Sequence, residues 1–249
     1  MSLEGRSALV TGAAGGIGGA VARALAASGA TVLAVDRRPD EVEAGERVHP
    51  HGAELTRSDE VEAAVRAAVE RFGRLDVLFN GAGISGRRLG DGPVDECSEE
   101  AWDTVLAVNL RSVFLCCKHA VPFLLAAGGG AIVNLASVLG LVGGDADFAT
   151  HAYAASKGGI IALSRAIAVA YAPRGLRCNV VCPGLIATPM SARAQADPGI
   201  RARLAELQPL TGDLGRPEHV AGAVLWLAGP ESGLVTGAVI PVDGGWTAR

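Results

Sequence analysis

Residues 6–36 read R-S-A-L-V-T-G-A-A-G-G-I-G-G-A-V-A-R-A-L-A-A-S-G-A-T-V-L-A-V-D. The apolar run from Arg6 to Val10 has the length and composition of a buried strand. It leads into a glycine turn, T-G-A-A-G-G-I-G, at residues 11–18. From Gly18 to Ser28 the residues Ala20, Val21, Ala24 and Leu25 recur at helical spacing, and Gly29 closes the helix. A second apolar strand, Thr31 to Val35, ends in Asp36. Strand, glycine turn, helix, strand and acid, in that order, make the first half of a dinucleotide-binding unit. Gly12 permits the tight turn, Gly16 the approach of backbone to a pyrophosphate, and Gly18 close packing of helix on strand. The phosphates then meet free N–H groups and a favourable dipole at the helix N-terminus.

Asp36 lies where a carboxylate binds both ribose hydroxyls of the adenosine half, so it bears on cofactor choice. Two unit charges about 4 Å apart repel by roughly 4 kcal/mol at an effective dielectric near 20, and a 2′-phosphate would face that repulsion. Arg37 and Arg38 offset part of it, while position 15 is glycine and offers no cation. The expected cofactor is NAD, with NADP the weaker alternative.

Strands and helices continue to alternate. Val42 to Val48 reads as irregular. A helix with an acidic first turn carries Val61, Val65, Val69 and Phe72 on one face and stops at Gly73. Leu75 to Phe79 is a strand running into N-G-A-G at residues 80–83. Ser98 caps a long helix whose buried face is expected to include Trp102, Val105, Leu106 and Phe114, with Asn109 on or near it. The strand Ala131 to Leu135 delivers Ser137, and a helix beginning near Ala152 carries Tyr153 and Lys157 four residues apart on one face. A phenol beside an ammonium, with a hydroxyl facing them, is an acid–base device. The Arg177 to Val181 strand leads to C-P-G-L-I-A-T-P-M at 182–190. Residues 190–212 read as a substrate lid with one amphipathic piece, Ile200 to Leu207. Pro217 to Leu227 is a helix with Trp226 facing inward, and Val239 to Val242 a last strand before D-G-G. The fold expected is α/β: one doubly wound, Rossmann-type parallel sheet with helices on both faces, spanning residues 1–249 as a single domain.

Composition limits the partners. The 249 residues are 49% hydrophobic and 19% charged, ample for a large core, with a net charge of −4 and basic residues only in short runs, so nucleic acid is an unsuitable partner. The five cysteines (Cys97, Cys116, Cys117, Cys178, Cys182) match no thiolate cluster and read as small core residues in a reducing cytoplasm. The histidines are scattered and no metal site is expected. The N-terminal M-S-L-E-G-R-S lacks the plan of a signal peptide, and no uninterrupted apolar run reaches membrane-spanning length.

These motifs together resemble the short-chain dehydrogenases/reductases over essentially the whole chain: T-G-A-A-G-G-I-G, N-G-A-G, Asn109 within V-N-L, Ser137, Y-A-A-S-K, N-V-V-C-P-G and V-D-G-G. The resemblance implies hydride transfer between a secondary alcohol and a ketone. It implies Tyr153 as general acid/base, Lys157 as its activator and ribose ligand, Ser137 as ligand of the substrate oxygen, and Asn109 in a proton relay. Around the cofactor it implies Gly12, Gly16, Ile17, Gly18, Asp36, Arg37, Glu54, Leu55, Asn80, Ala82, Gly83, Pro183, Gly184, Ile186 and Thr188. Leu139 and Met190, with Ser137 and Tyr153, are expected beside a small alcohol or ketone substrate. Many members are homotetramers, joined through the helices containing Asn109 and Tyr153. With Lys157 and a positive nicotinamide nearby, the Tyr153 pKa is expected to fall from about 10. Two other readings share the motifs: an NADPH-dependent 3-oxoacyl-[acyl-carrier-protein] reductase, and a nucleotide-binding regulator without catalysis.

Three departures stand out. Gly81 replaces the second Asn of the family's N-N-A-G turn, and Glu54 stands where Asp is usual, with the adenine amine its expected contact. Ser137 and Tyr153 are 16 residues apart, a longer spacing than the family's, with the extra material in G-G-D-A-D-F-A-T-H. That insert must bulge outward for the hydroxyls to meet. Asp145, Asp147, Phe148 and His151 are its side chains of interest.

Overall fold

A computed structural model describes residues 2–248. Seven strands form one all-parallel sheet: β1 (Ser7–Thr11), β2 (Thr31–Asp36), β3 (Val48–Gly52), β4 (Val77–Asn80), β5 (Gly130–Leu135), β6 (Leu176–Pro183) and β7 (Val239–Val242), in the order β3-β2-β1-β4-β5-β6-β7. The strand order reverses between β1 and β4, whose last residues, Thr11 and Asn80, are paired. That switch point opens a crevice at the carboxyl ends of the strands. Apolar residues on both faces explain the burial: in β1, Leu9 packs to one side and Ala8 and Val10 to the other. Helices α1 (Gly16–Ala27) and α8 (Pro217–Ala228) cover one face; α2 (Ser58–Phe72), α4 (Ser112–Ala126) and α5 (His151–Tyr171) cover the other. The short helices α6 (Ala192–Ala196) and α7 (Pro198–Leu207) occupy the segment read as a lid.

Two expectations need correction. Residues 48–52, V-H-P-H-G, are the edge strand β3, hydrogen-bonded only to β2. Pro50 is tolerated at an edge, where one side of the strand has no ladder to feed. Trp102 and Phe114 are not on a buried face; they are 39% and 47% exposed. Helix α3 (Glu99–Leu106) passes into α4 through a π-helical turn, Ala107–Arg111. The wider turn breaks the 3.6-residue register across Asn109, so apolar residues counted as one stripe fall on different faces. Trp226 is half-buried against the α1–α8 layer. The continuous helix Glu99–Ala126 has the length and apolarity of a membrane span, with half of its most apolar window buried inside the fold.

Candidate active site

The glycine turn fills its place so tightly that no side chain fits. Gly12 has φ +70°, and a Cβ there would lie 2.7 Å from the Ala82 nitrogen. A Cβ on Gly18 would lie 2.1 Å from the Gly12 carbonyl oxygen, and one on Gly16 would lie 2.8 Å from Thr188 Cγ2. The turns after β1, β4 and β6 therefore converge at close range. Gly15 precedes α1 and no side chain caps that helix, which leaves its first N–H groups for a ligand. Ile17 is half-buried on that first turn. A pyrophosphate fits this cradle by shape and by charge.

Asp36 stands at the end of β2, where its Oδ2 accepts from the Ala14 N–H and its Oδ1 from the Arg38 N–H, both at 3.1 Å. Arg38 pairs with Glu41 at 2.9 Å, and Arg37 is exposed. A cleft beside the turn is lined by Gly15, Gly16, Arg23, Glu41, Glu43 and Pro189 among others, with Arg23 bound to Glu43 at 3.0 Å. Leu55 is buried, and Glu54 folds onto its own loop, accepting from the Thr56 N–H and hydroxyl at 3.1 and 3.0 Å. The Asn80 side chain points into the core and donates to Asn134 Oδ1 at 2.8 Å, so this residue meets the crevice through its backbone. Gly81 has a local reason: a Cβ there would lie 2.4 Å from the Phe79 ring and 2.8 Å from the Thr11 carbonyl.

Three elements bring the polar centre together. Ser137 follows β5, Tyr153 and Lys157 lie on α5, and Asn109 lies in the π turn. Asn109 is fully buried; its Oδ1 accepts from the Ile84 N–H at 2.8 Å and its Nδ2 donates to the Ile84 carbonyl and to Ser156 Oγ. Lys157 is 4% exposed, donates from Nζ to the Leu135 carbonyl at 2.9 Å, and lies 5.4 Å from the Tyr153 ring centroid. Burial pushes the ammonium pKa down to about 8. Without a positive nicotinamide beside it, the Tyr153 phenol is shifted upward. Burial raises its pKa, and the hydrogen bond with the Ser137 hydroxyl opposes that rise only in part. The Cys182 thiol adjoins the same group and is pushed up to about 11 by burial.

The residues around this centre include several that local sequence does not reveal. Asp91 is buried, and its carboxylate accepts from the Ala152 and Tyr153 N–H groups, each at 3.0 Å. It thus caps α5 from 61 residues away, because Thr150 supplies no side-chain cap. Gln208, also buried, accepts from the Leu185 N–H at 2.6 Å and donates to the Leu185 and Asp213 carbonyls, fixing the turn of Pro183 and Gly184. Ile186 is buried, and the Thr188 N–H donates to Ser191 Oγ. Leu139 is half-buried with its N–H donating to Ser137 Oγ, whereas Met190 is 53% exposed. The insert does bulge outward. It is anchored by Phe148, which meets Trp246 edge-on at 5.1 Å in a cluster with Val138, Ala194, Ile200 and Leu207. Asp145 and Asp147 both pair with Arg203 of α7, while His151 is exposed at the start of α5.

Comparison with known proteins gives these features a setting. Residues 12–247 match the family described as enoyl-(acyl carrier protein) reductase. The chain is 43% identical over 250 residues to the cis-4-hydroxycyclohexanecarboxylate dehydrogenase of Sinomonas cyclohexanicum, covering 98% of this chain and 97% of that one. It is 39% identical over 252 residues to the 2-(R)-hydroxypropyl-CoM dehydrogenase of Xanthobacter autotrophicus, covering 98% and 99%. The crystal structure of levodione reductase matches with a TM-score of 0.90 at 33% identity over 99% of both chains. Fold, site and relatives define an oxidoreductase acting on CH–OH groups. The chain belongs to the short-chain dehydrogenases/reductases, and it interconverts an alcohol and its ketone with a nicotinamide cofactor.

Proposed function

We propose that the chain oxidises a small secondary alcohol to its ketone, and runs the reverse, with NAD as the preferred cofactor. The observation that carries this reading is the meeting of Tyr153, Ser137 and Lys157 beside the glycine cradle. When bound, the nicotinamide supplies the hydride acceptor or donor. The backbone of Gly12, Gly16, Ile17 and Gly18 would hold the pyrophosphate, with Asp36 on the adenosine ribose and Asn80, Ala82 and Gly83 beside it. Pro183, Gly184, Ile186 and Thr188 would border the nicotinamide half, and Lys157 the nearer ribose. Tyr153 takes the proton from the substrate hydroxyl during oxidation and returns it to the ketone oxygen during reduction. Ser137 steadies that oxygen by hydrogen bonding. Lys157 keeps positive charge near the phenol, and Asn109 fixes the Ile84 backbone and Ser156 behind it. Leu139 and Met190 would border the substrate.

The preference for NAD is supported by the carboxylates of Asp36, Glu41 and Glu43 around the ribose side and by the pairing of Arg38 with Glu41. The same features disfavour an NADPH-dependent 3-oxoacyl-[acyl-carrier-protein] reductase. Exposed Trp102 on α3 and Phe114 on α4, with Val169 on α5, support assembly as a homotetramer through the outward faces of α3, α4 and α5. Cytoplasmic residence is proposed on the free thiols. Residues 190–212, sitting over the Ser137 side, would act as the lid.

The test is a panel of secondary alcohols and ketones followed by nicotinamide absorbance with NAD and NADP in parallel, on wild type and Tyr153→Phe. NAD is expected to give the higher kcat/KM. Tyr153→Phe is expected to lose about 10²–10⁴-fold in kcat while retaining NAD affinity. Equal efficiency with both cofactors would sink the preference, and unchanged turnover in the variant would sink the role of Tyr153.

A further inference from the structure

Three segments that border the Ser137 side come from separate parts of the chain: the loop after β4, the insert after Ser137, and the segment after Thr188. They meet at one atom, the carbonyl oxygen of Asp147. Arg87 Nη2 donates to it at 2.6 Å and Arg193 Nη2 at 2.5 Å. Two guanidiniums thus lie side by side on a single neutral acceptor. The neighbouring carboxylates are engaged elsewhere. Asp91 is held by the first N–H groups of α5, and Asp145 and Asp147 are bound by Arg203. Asp197 reaches Arg193 only at 4.0 Å. Holding the loops together would need one donor, and the second cation adds like-charge repulsion that the carbonyl does not offset and the charges of Asp91 and Asp147 offset only in part. Each guanidinium has five N–H donors in a planar fork suited to a carboxylate or sulfonate. Arg87 is half-buried; burial and, after it, the charge of Arg193 lower its pKa, and Asp91 and Asp147 oppose that fall only in part.

We propose that Arg87 and Arg193 form an anion subsite that selects secondary alcohols carrying a carboxylate or sulfonate. The proposal rests on the reading of the Ser137–Tyr153 centre given above. The hydroxyl end of the substrate lies at Tyr153, and its anionic end lies under the lid segment against the two arginines. Binding the anion joins the loop after β4, the insert and α6 through one ligand. Closure over the substrate is then coupled to its charge.

The experiment compares 4-hydroxycyclohexanecarboxylate with its methyl ester, which keeps the carbinol and removes the charge. Substrates are assayed with wild type, Arg87→Gln, Arg193→Gln and Arg193→Lys, each checked for an unchanged melting temperature and NAD affinity. Wild type is expected to prefer the acid. The Gln variants are expected to lose about 10- to 100-fold in kcat/KM for the acid and to leave the ester nearly unchanged, with Lys intermediate. Equal use of acid and ester by wild type, or equal losses on both, overturns the subsite. Binding of cyclohexanecarboxylate, which has no hydroxyl, is measured in parallel by calorimetry. Binding to wild type that the Gln variants lose upholds the subsite even if neither alcohol is oxidised, an outcome that would count against the alcohol reading alone. Binding equal in all variants overturns the subsite.

Discussion

At the adenosine end of the crevice, between β1 and β4, the chain meets itself backbone to backbone. At the substrate end, beyond β5 and β6, it is held by long side chains reaching between loops. Gly12, Gly18 and Gly81 leave no room for a methyl group. Arg87, Arg193 and Arg203 instead span the insert and the lid through extended, partly exposed contacts. The first kind of construction suits a ligand whose shape is fixed. The second changes with one or two residues and suits a ligand that varies between enzymes of one fold. Tyr153 and Lys157 stand between the two, on a helix whose start is pinned by Asp91.

The sharpest way to break this contrast is one conservative substitution at each end. Gly18→Ala places Cβ 2.1 Å from a backbone oxygen. It is expected to destabilise the fold by roughly 1–3 kcal/mol and to weaken NAD binding, read by thermal melting and titration. At the other end, Met190→Leu is expected to stay within about 0.5 kcal/mol of wild type. Equal effects would erase the distinction.

Asp91→Ala tests the junction. Loss of the cap is expected to cost about 1–2 kcal/mol, and misplacing Tyr153 to lower kcat about 10- to 100-fold, with NAD affinity unchanged. Asp91→Asn keeps one oxygen acceptor and should recover part of the rate. A purely structural cap would lower melting temperature alike in both variants without moving kcat.

Lys157 gives a pH signature. Its folded-state pKa is near 8, below the 10.5 of an exposed lysine, so the unfolded chain binds the extra proton between those values. Stability from this group therefore rises with pH through that window, by roughly 2 kcal/mol near pH 10. Tyr153, raised above its ordinary 10, acts in the opposite sense at still higher pH, where the unfolded chain ionises first. Melting curves of wild type against Lys157→Met from about pH 8 to 10 should show wild type gaining; a flat difference contradicts the burial argument. The smallest effect belongs to Arg203→Gln, which frees Asp145 and Asp147. It is expected to raise the alcohol KM about two- to fivefold, as for an exposed pair, without changing NAD affinity.

The contrast also explains what could be read before the structure. The glycine turn, Asp36 and the Tyr153–Lys157 spacing are local patterns; the glycine turn lies at the β1–β4 switch point, Asp36 at the end of β2, and Tyr153 and Lys157 on α5. The edge strand at residues 48–52 was hidden because V-H-P-H-G has neither alternation nor an apolar run. Trp102 and Phe114 misled because helical periodicity assumes one register. Asp91 left no local mark, since its partners are 61 and 62 residues away. The Tyr153 pKa depends on how dry the site is, which composition does not report.

The π turn at Ala107–Arg111 carries a consequence for insertions and deletions. Removing one residue there would restore an unbroken α-helix and leave α3 and α4 in nearly the same relative orientation, because the wider turn already absorbs the extra residue, but it would take away the local widening that places Asn109. Asn109 is then expected to leave the Ile84 backbone and Ser156, while Trp102 keeps its side of the molecule. The outward insert between Ser137 and Tyr153 has no such register to keep. Length changes are therefore expected to accumulate in the insert and to be excluded from the helix, although both border the same few ångströms of active site.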